Sequence, residues 1–171
     1  MTSVLKVDNI QNSSGTDAIS IDSNGVVTKS VVPAFFAYLG TNQTASIGDW
    51  DKIEFDTTEF DTGSDYDKTT NHRFVAPVAG IYQFNTSVNP DYSSGSNTRV
   101  FGRFYKNGVN HGQFAHKTLY ANDRGIVSGS ITLELAVNDY VEVFLYLEGG
   151  SAAVYNGNYS YPSHFSGHLV G

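Results

Sequence analysis

Cysteine is absent from this 171-residue sequence, methionine and tryptophan occur once each, and proline four times. Without thiols there is no disulfide framework, no thiol nucleophile, no cysteine-ligated zinc and no iron–sulfur cluster. Folding at this length removes roughly 70% of the unfolded surface from water, so an apolar core alone can hold the chain, and a reducing cytoplasm is no obstacle to its assembly. Basic residues are scarce. Ten Lys and Arg stand against 17 Asp and Glu, for a formal charge of −7 and a pI near 5.0. That balance lacks the electrostatic footprint for nucleic acid or an anionic membrane, and neither is an expected partner. Long apolar runs are also missing: residues 141–147 are interrupted by Glu142 and fall far short of the roughly 20 residues a spanning helix needs, so no membrane insertion is expected. The first residues have no basic start followed by an apolar stretch, so no secretory signal is expected either.

What remains is rich in Gly, Ser, Thr and Asn, with charged residues at 16% against about 25% in ordinary globular chains. No stretch has helical period. Residues 1–32 contain no aromatic residue and alternate short apolar runs with Ser14-Gly15 and Asn24-Gly25 turns, which predicts small strands with too little apolar surface for a core of their own. This segment needs a partner. Pro33 marks a boundary, after which strand patterns recur about every ten residues. Tyr82, Phe84, Thr86 and Val88 share one face of a strand and Gln83 and Asn85 the other; 100–106 leads into an Asn107-Gly108 hairpin turn; 131–137 alternates before Asn138-Asp139. The pattern predicts an all-β chain: a β-rich amino-terminal segment, 1–32, followed by a β-sandwich or jelly roll, 33–171. Phe36 and Tyr38 lie opposite Phe35, Ala37 and Leu39, and Phe144 and Tyr146 lie opposite the valines and leucines of 141–147. Large rings on the outer face of a sandwich mark covered surface, so these four are the candidates for a subunit interface.

Phe55, Asp61, Tyr66, Phe74, Gly80, Tyr82 and Phe84, with the closing Phe165-Ser166-Gly167-His168-Leu169 and the Asn107-Gly108 hairpin, give 33–171 a pattern that resembles the complement C1q globular head and tumour necrosis factor superfamily. Two positions depart from that pattern: seven residues rather than six separate Tyr66 from Phe74, and Thr86 stands in place of an aromatic. The resemblance implies a jelly-roll subunit that assembles as a homotrimer and recognises a ligand without enzymatic activity. Animal members usually carry a collagen stalk, and Gly-x-y repeats are absent here. Instead, 7–11 and 22–26 resemble the amino-terminal segments of fibre and structural proteins of tailed phages. Together these resemblances imply a knob, short fibre or capsid decoration on the virion surface, made in the host cytoplasm, held to another virion protein through 1–32 and contacting a host-surface glycan or protein. The alternative is a soluble or cell-surface C1q-like lectin outside any virion.

No catalytic residue or cofactor emerges. His164 and His168 would stand about 13 Å apart on a strand, too far to share a metal. Asp49 and Asp51 have no sequence context that makes them an acid pair for glycan hydrolysis. The stretch from 49 to 67 is acidic, balanced only by Lys52, and Asp49, Asp51, Asp61, Asp65 and Asp67 are the calcium candidates, without an EF-hand spacing; some members of the resembled family bind calcium. Asp61 also occupies a family motif position, which implies a structural role. Tyr92, Tyr120, Tyr155, Tyr159 and Tyr161, set among Ser, Asn and Gly, are the candidates for ligand contact, since a tyrosine offers a flat face with a polar tip.

Overall fold

The structure, a computed structural model, describes residues 5–29, 32–92, 98–120, 125–149, 153–155 and 163–170. The chain divides into two compact units, Met1–Val32 and Pro33–Gly171. In the first, β1 (Asn9–Gln11), β2 (Asp17–Ile21) and β3 (Val27–Lys29) form an antiparallel sheet in that order. Its two turns are built alike. The side chain of Asn12 accepts from the amides of Ser14 and Thr16, that of Asp22 accepts from the amides of Asn24 and Val26, and Gly15 and Gly25 close the turns at φ 83° and 79°. Asx side chains and a left-handed glycine thus hold the turns in place of a core. None of residues 5–29 is buried, and Leu5, Ile10, Val26 and Val27 are exposed.

The second unit is an antiparallel sandwich. One layer is a five-stranded sheet in the order β14 (Val127–Leu135), β10 (Gly80–Val88), β17 (His164–Leu169), β4 (Ala34–Tyr38), β7 (Thr57–Asp61). The other runs β13 (Val109–Leu119), β12 (Thr98–Lys106), β15 (Tyr140–Glu148), β9 (Arg73–Val75), β8 (Tyr66–Asp67), and β6 (Trp50–Lys52) pairs with the far end of β15. A small sheet of β11 (Pro90–Tyr92), β16 (Ala153–Tyr155) and β5 (Gln43–Ala45) completes the unit. Long strands alternate buried and open positions, so a side-chain period of two directs every second residue inward.

Between the layers lies one core in which aromatic rings dominate. Phe35 stacks on Tyr66 and on Phe74, each with centroids 5.0 Å apart, and meets Phe165 edge-on at the same separation. The core explains both motif departures. Thr86, a polar residue 2% exposed, donates its hydroxyl to the carbonyl of His164 at 2.9 Å, so the missing aromatic leaves no unpaired group. The extra residue between Tyr66 and Phe74 falls in the turn after β8, where the Asp67 carboxylate accepts from the amides of Thr69, Thr70 and Asn71.

Candidate recognition surfaces on the sandwich

The four interface candidates do not share a face. Phe36 and Tyr38 stand on the outward side of the five-stranded sheet, where the Phe36 ring stacks on His164 at 5.0 Å and leans on Phe60 at 6.4 Å. Phe144 and Tyr146 stand on the outward side of the opposite sheet. Each face is partly covered by its own neighbours. Away from Phe36, the first face is mostly polar: Gln83, Asn85 and Ser87 on β10, Ser128, Ser130, Thr132 and Glu134 on β14, Ser166 and His168 on β17, with Ile81 exposed at one end.

The face around Tyr146 is different in kind. Register places Trp50, Tyr146, Phe101 and His116 side by side across β6, β15, β12 and β13. Their rings touch in sequence: Trp50 to Tyr146 at 5.4 Å, Tyr146 to Phe101 at 5.9 Å, Phe101 to His116 at 4.4 Å. One step along the strands, Phe144 packs on Tyr105 at 4.3 Å, and the guanidinium of Arg103 lies 4.2 Å over the Trp50 ring. Lys52 pairs with the buried Glu142 at 3.0 Å, and Arg99 pairs with Glu148. Sequence reading missed this row. Its signals were present, however: the single tryptophan sits in the acidic stretch, and Phe101, Arg103 and Tyr105 alternate on one strand.

The ligand-contact tyrosines separate. Tyr120 is exposed after β13, whereas Tyr155 lies on β16 with no exposure and donates its hydroxyl to Asp51 at 3.1 Å, so it is a core residue and not a loop contact. Tyr92 falls on β11, of whose side chain nothing is described, and Tyr159 and Tyr161 lie outside the described residues.

The calcium candidates also disperse, because most of these carboxylates serve the backbone nearby. Asp51 accepts from the Ser46 amide at 2.6 Å, Asp61 from the amides of Asp65 and Tyr66, and Asp49 from the Trp50 amide at 2.8 Å. Donors from Thr70, Asn71 and Thr69 hold Asp67 well below the usual carboxylate range. Partial burial, helped by Asp61, pushes Asp65 up instead. Among the described residues, no three His, Asp or Glu side chains are brought together to hold a metal. At one end of the sandwich, Asp139 accepts from Asn107 at 2.8 Å and the Ala136 amide at 2.9 Å and pairs with Lys106 at 2.9 Å, which lowers its pKa to about 2. That cluster borders an open depression lined also by Gly80 and Leu135, and its charges are spent on one another.

Residues 34–170 match the model of the C1q domain. The chain belongs to the C1q domain family. This C1q domain is similar to the globular domain of zebrafish complement 1qA, with 18% identity, a TM-score of 0.58, and 81% of this chain and 98% of that one covered. It is also similar to murine APRIL, at 9% identity and a TM-score of 0.55 over 82% of this chain and all of that one. A third likeness is to Eiger TNF from S. frugiperda, at 10% identity and a TM-score of 0.50, covering 82% and 92%. No curated protein matches the sequence. The jelly-roll fold of the C1q and tumour necrosis factor superfamily is therefore the architecture of this domain, and the amino-terminal segment lies outside the match.

Proposed function

We propose that the chain is a non-enzymatic, homotrimeric C1q-type knob, mounted on the surface of a tailed-phage virion through residues 1–32 and displaying its head to the host surface. The observation that carries this reading is a C1q head joined to a separate three-stranded unit in which none of the described residues is buried. A sheet that exposes Leu5, Ile10, Val26 and Val27 is stable when another protein covers it, as an anchor is covered. Self-association suits the polar outward face of the five-stranded sheet and the Phe36–His164 stack beside it. Three identical weak sites per knob, repeated over many knobs, give firm adhesion from weak contacts. The test is to raise an antibody against residues 33–171 and label purified particles. Labelling of intact virions, lost when Ile10 and Val27 are both changed to Asp, is expected; full-length protein that never co-sediments with particles contradicts the virion role and leaves a free C1q-like lectin.

A further inference from the structure

On the described strands of the sandwich, Lys and Arg occur in one layer. The strands of the five-stranded sheet carry no Lys or Arg, whereas Lys52, Arg73, Arg99, Arg103, Lys106 and Lys117 all lie on strands of the opposite sheet. Three of these are neutralised by close carboxylates, Lys52 by Glu142, Arg99 by Glu148 and Lys106 by Asp139. Arg103, Arg73 and Lys117 are not: among the described residues no carboxylate pairs with Arg103, its Nε is buried without an acceptor, and its guanidinium carbon lies 4.2 Å over the Trp50 ring, as that of Arg73 lies 4.0 Å over Tyr140. An arginine stacked on an aromatic face has its fork held in place while the remaining N–H groups stay free for a planar acceptor. In a molecule of net charge −7, an uncompensated guanidinium at the centre of a ring-lined face is a local site of anion attraction.

The neighbours narrow the anion. Outward positions of β6, β12 and β15 hold Trp50, Phe101, Tyr105, Phe144 and Tyr146 interleaved with charged residues, and no aliphatic side chain. Val75 on β9 is the aliphatic residue beside these rings. Three strands without an outward Leu or Ile are a poor seat for an acyl chain, whereas Trp, Tyr and Arg also serve protein interfaces, so a contact between copies is an outcome the test must separate. Flat rings with polar tips suit the C–H faces of a pyranose, which stack on aromatics at little entropic cost while hydroxyls reach the rim. The row of four rings crosses four strands and so spans ~14 Å, enough for a short oligosaccharide. Two ring-stacked guanidiniums and Lys117, without a basic stripe, are too few cations for a phosphate backbone.

We propose that the outward face of the six-stranded sheet, centred on Trp50 and Arg103, binds a carboxylated saccharide, with sugar rings on the Trp50–Tyr146–Phe101 row and the carboxylate on the Arg103 fork. The proposal rests on the reading of the head as a recognition module and names its ligand class. Because Trp50 is the only tryptophan, its emission reports this face alone. The experiment titrates the full chain with trigalacturonate and with sialyllactose, and with their neutral counterparts, the trigalacturonate methyl ester and lactose. At least one acid should change Trp50 emission saturably, and its neutral counterpart should bind about tenfold or more weakly, since a charge-assisted bidentate pair is lost. Arg103→Gln should weaken binding equally by calorimetry, and Arg103→Lys should restore part of it. Absence of a saturable change with both acids overturns the proposal, as do equal affinities for acid and neutral forms or unchanged affinity in Arg103→Gln. If Arg103→Gln instead reduces the solution mass, the face is a contact between copies and the proposal falls. A chain that labels virions yet ignores both acids retains the knob and loses this ligand; a chain that binds them but never reaches particles does the reverse.

Discussion

At the residue scale, the family pattern becomes intelligible as packing. Gly167 in Phe-Ser-Gly-His-Leu is required by approach and not by backbone angle: a Cβ there would sit 2.5 Å from the Phe84 ring and 2.9 Å from Phe35. Gly167→Ala should cost about 1–3 kcal/mol, the usual effect of overfilling a close-packed core, read as a lower urea midpoint at unchanged slope. Charge gives a second test. Donors hold the charged form of both Asp139, pushed down to about 2, and Asp67, held well below the ordinary value of 3.8. A lowered carboxyl contributes stability that is complete above 3.8 and is lost as pH falls through the folded value, so unfolding midpoints should decline from about pH 4 toward pH 2. Asp139→Asn should flatten that decline and lower stability at pH 7. A midpoint that holds constant down to pH 2 would contradict the assignment.

At the element scale, most of the sandwich was legible because period-two alternation is strong wherever one face is buried. Strands at 80–88, 98–106 and 140–148 coincide with the apolar patterns, and Asn107 and Gly108, at φ 53° and 75°, form the expected hairpin turn. The Asn24-Gly25 turn was read correctly in place but differs in geometry: only Gly25 is left-handed, and the Asp22 carboxylate supplies the rest. Sites were much less legible. Spacing along the chain says nothing about which carboxylates caps will claim, so Asp51 read as an acid candidate is in fact the acceptor that ties the Ser46 amide and the Tyr155 hydroxyl to β6. Asp51→Ala should therefore destabilise the fold by about 1–3 kcal/mol, since it removes the acceptor shared by the Ser46 amide and the Tyr155 hydroxyl, and circular dichroism melts would show it. The aromatic row escaped notice for the same reason: its four members come from four strands, and cross-strand neighbours are set by register, which one strand's sequence does not contain.

At the scale of the whole molecule, the two units differ in what holds them. The C1q head has a ring-filled core; the amino-terminal unit has turns and an open sheet. Substituting both Ile10 and Val27, which are 47% and 60% exposed, with Asp should leave the stability of the purified chain within about 0.5 kcal/mol of its original value, as surface changes do, while abolishing the attachment proposed for residues 1–32. The head should in turn assemble whether or not particles are present, because the family's mode of association resides in the sandwich. Light scattering on the full chain at low micromolar concentration measures that assembly most directly: a mass three times 18.6 kDa is the result expected of a C1q-type knob, and a single species of 18.6 kDa across concentrations would contradict it.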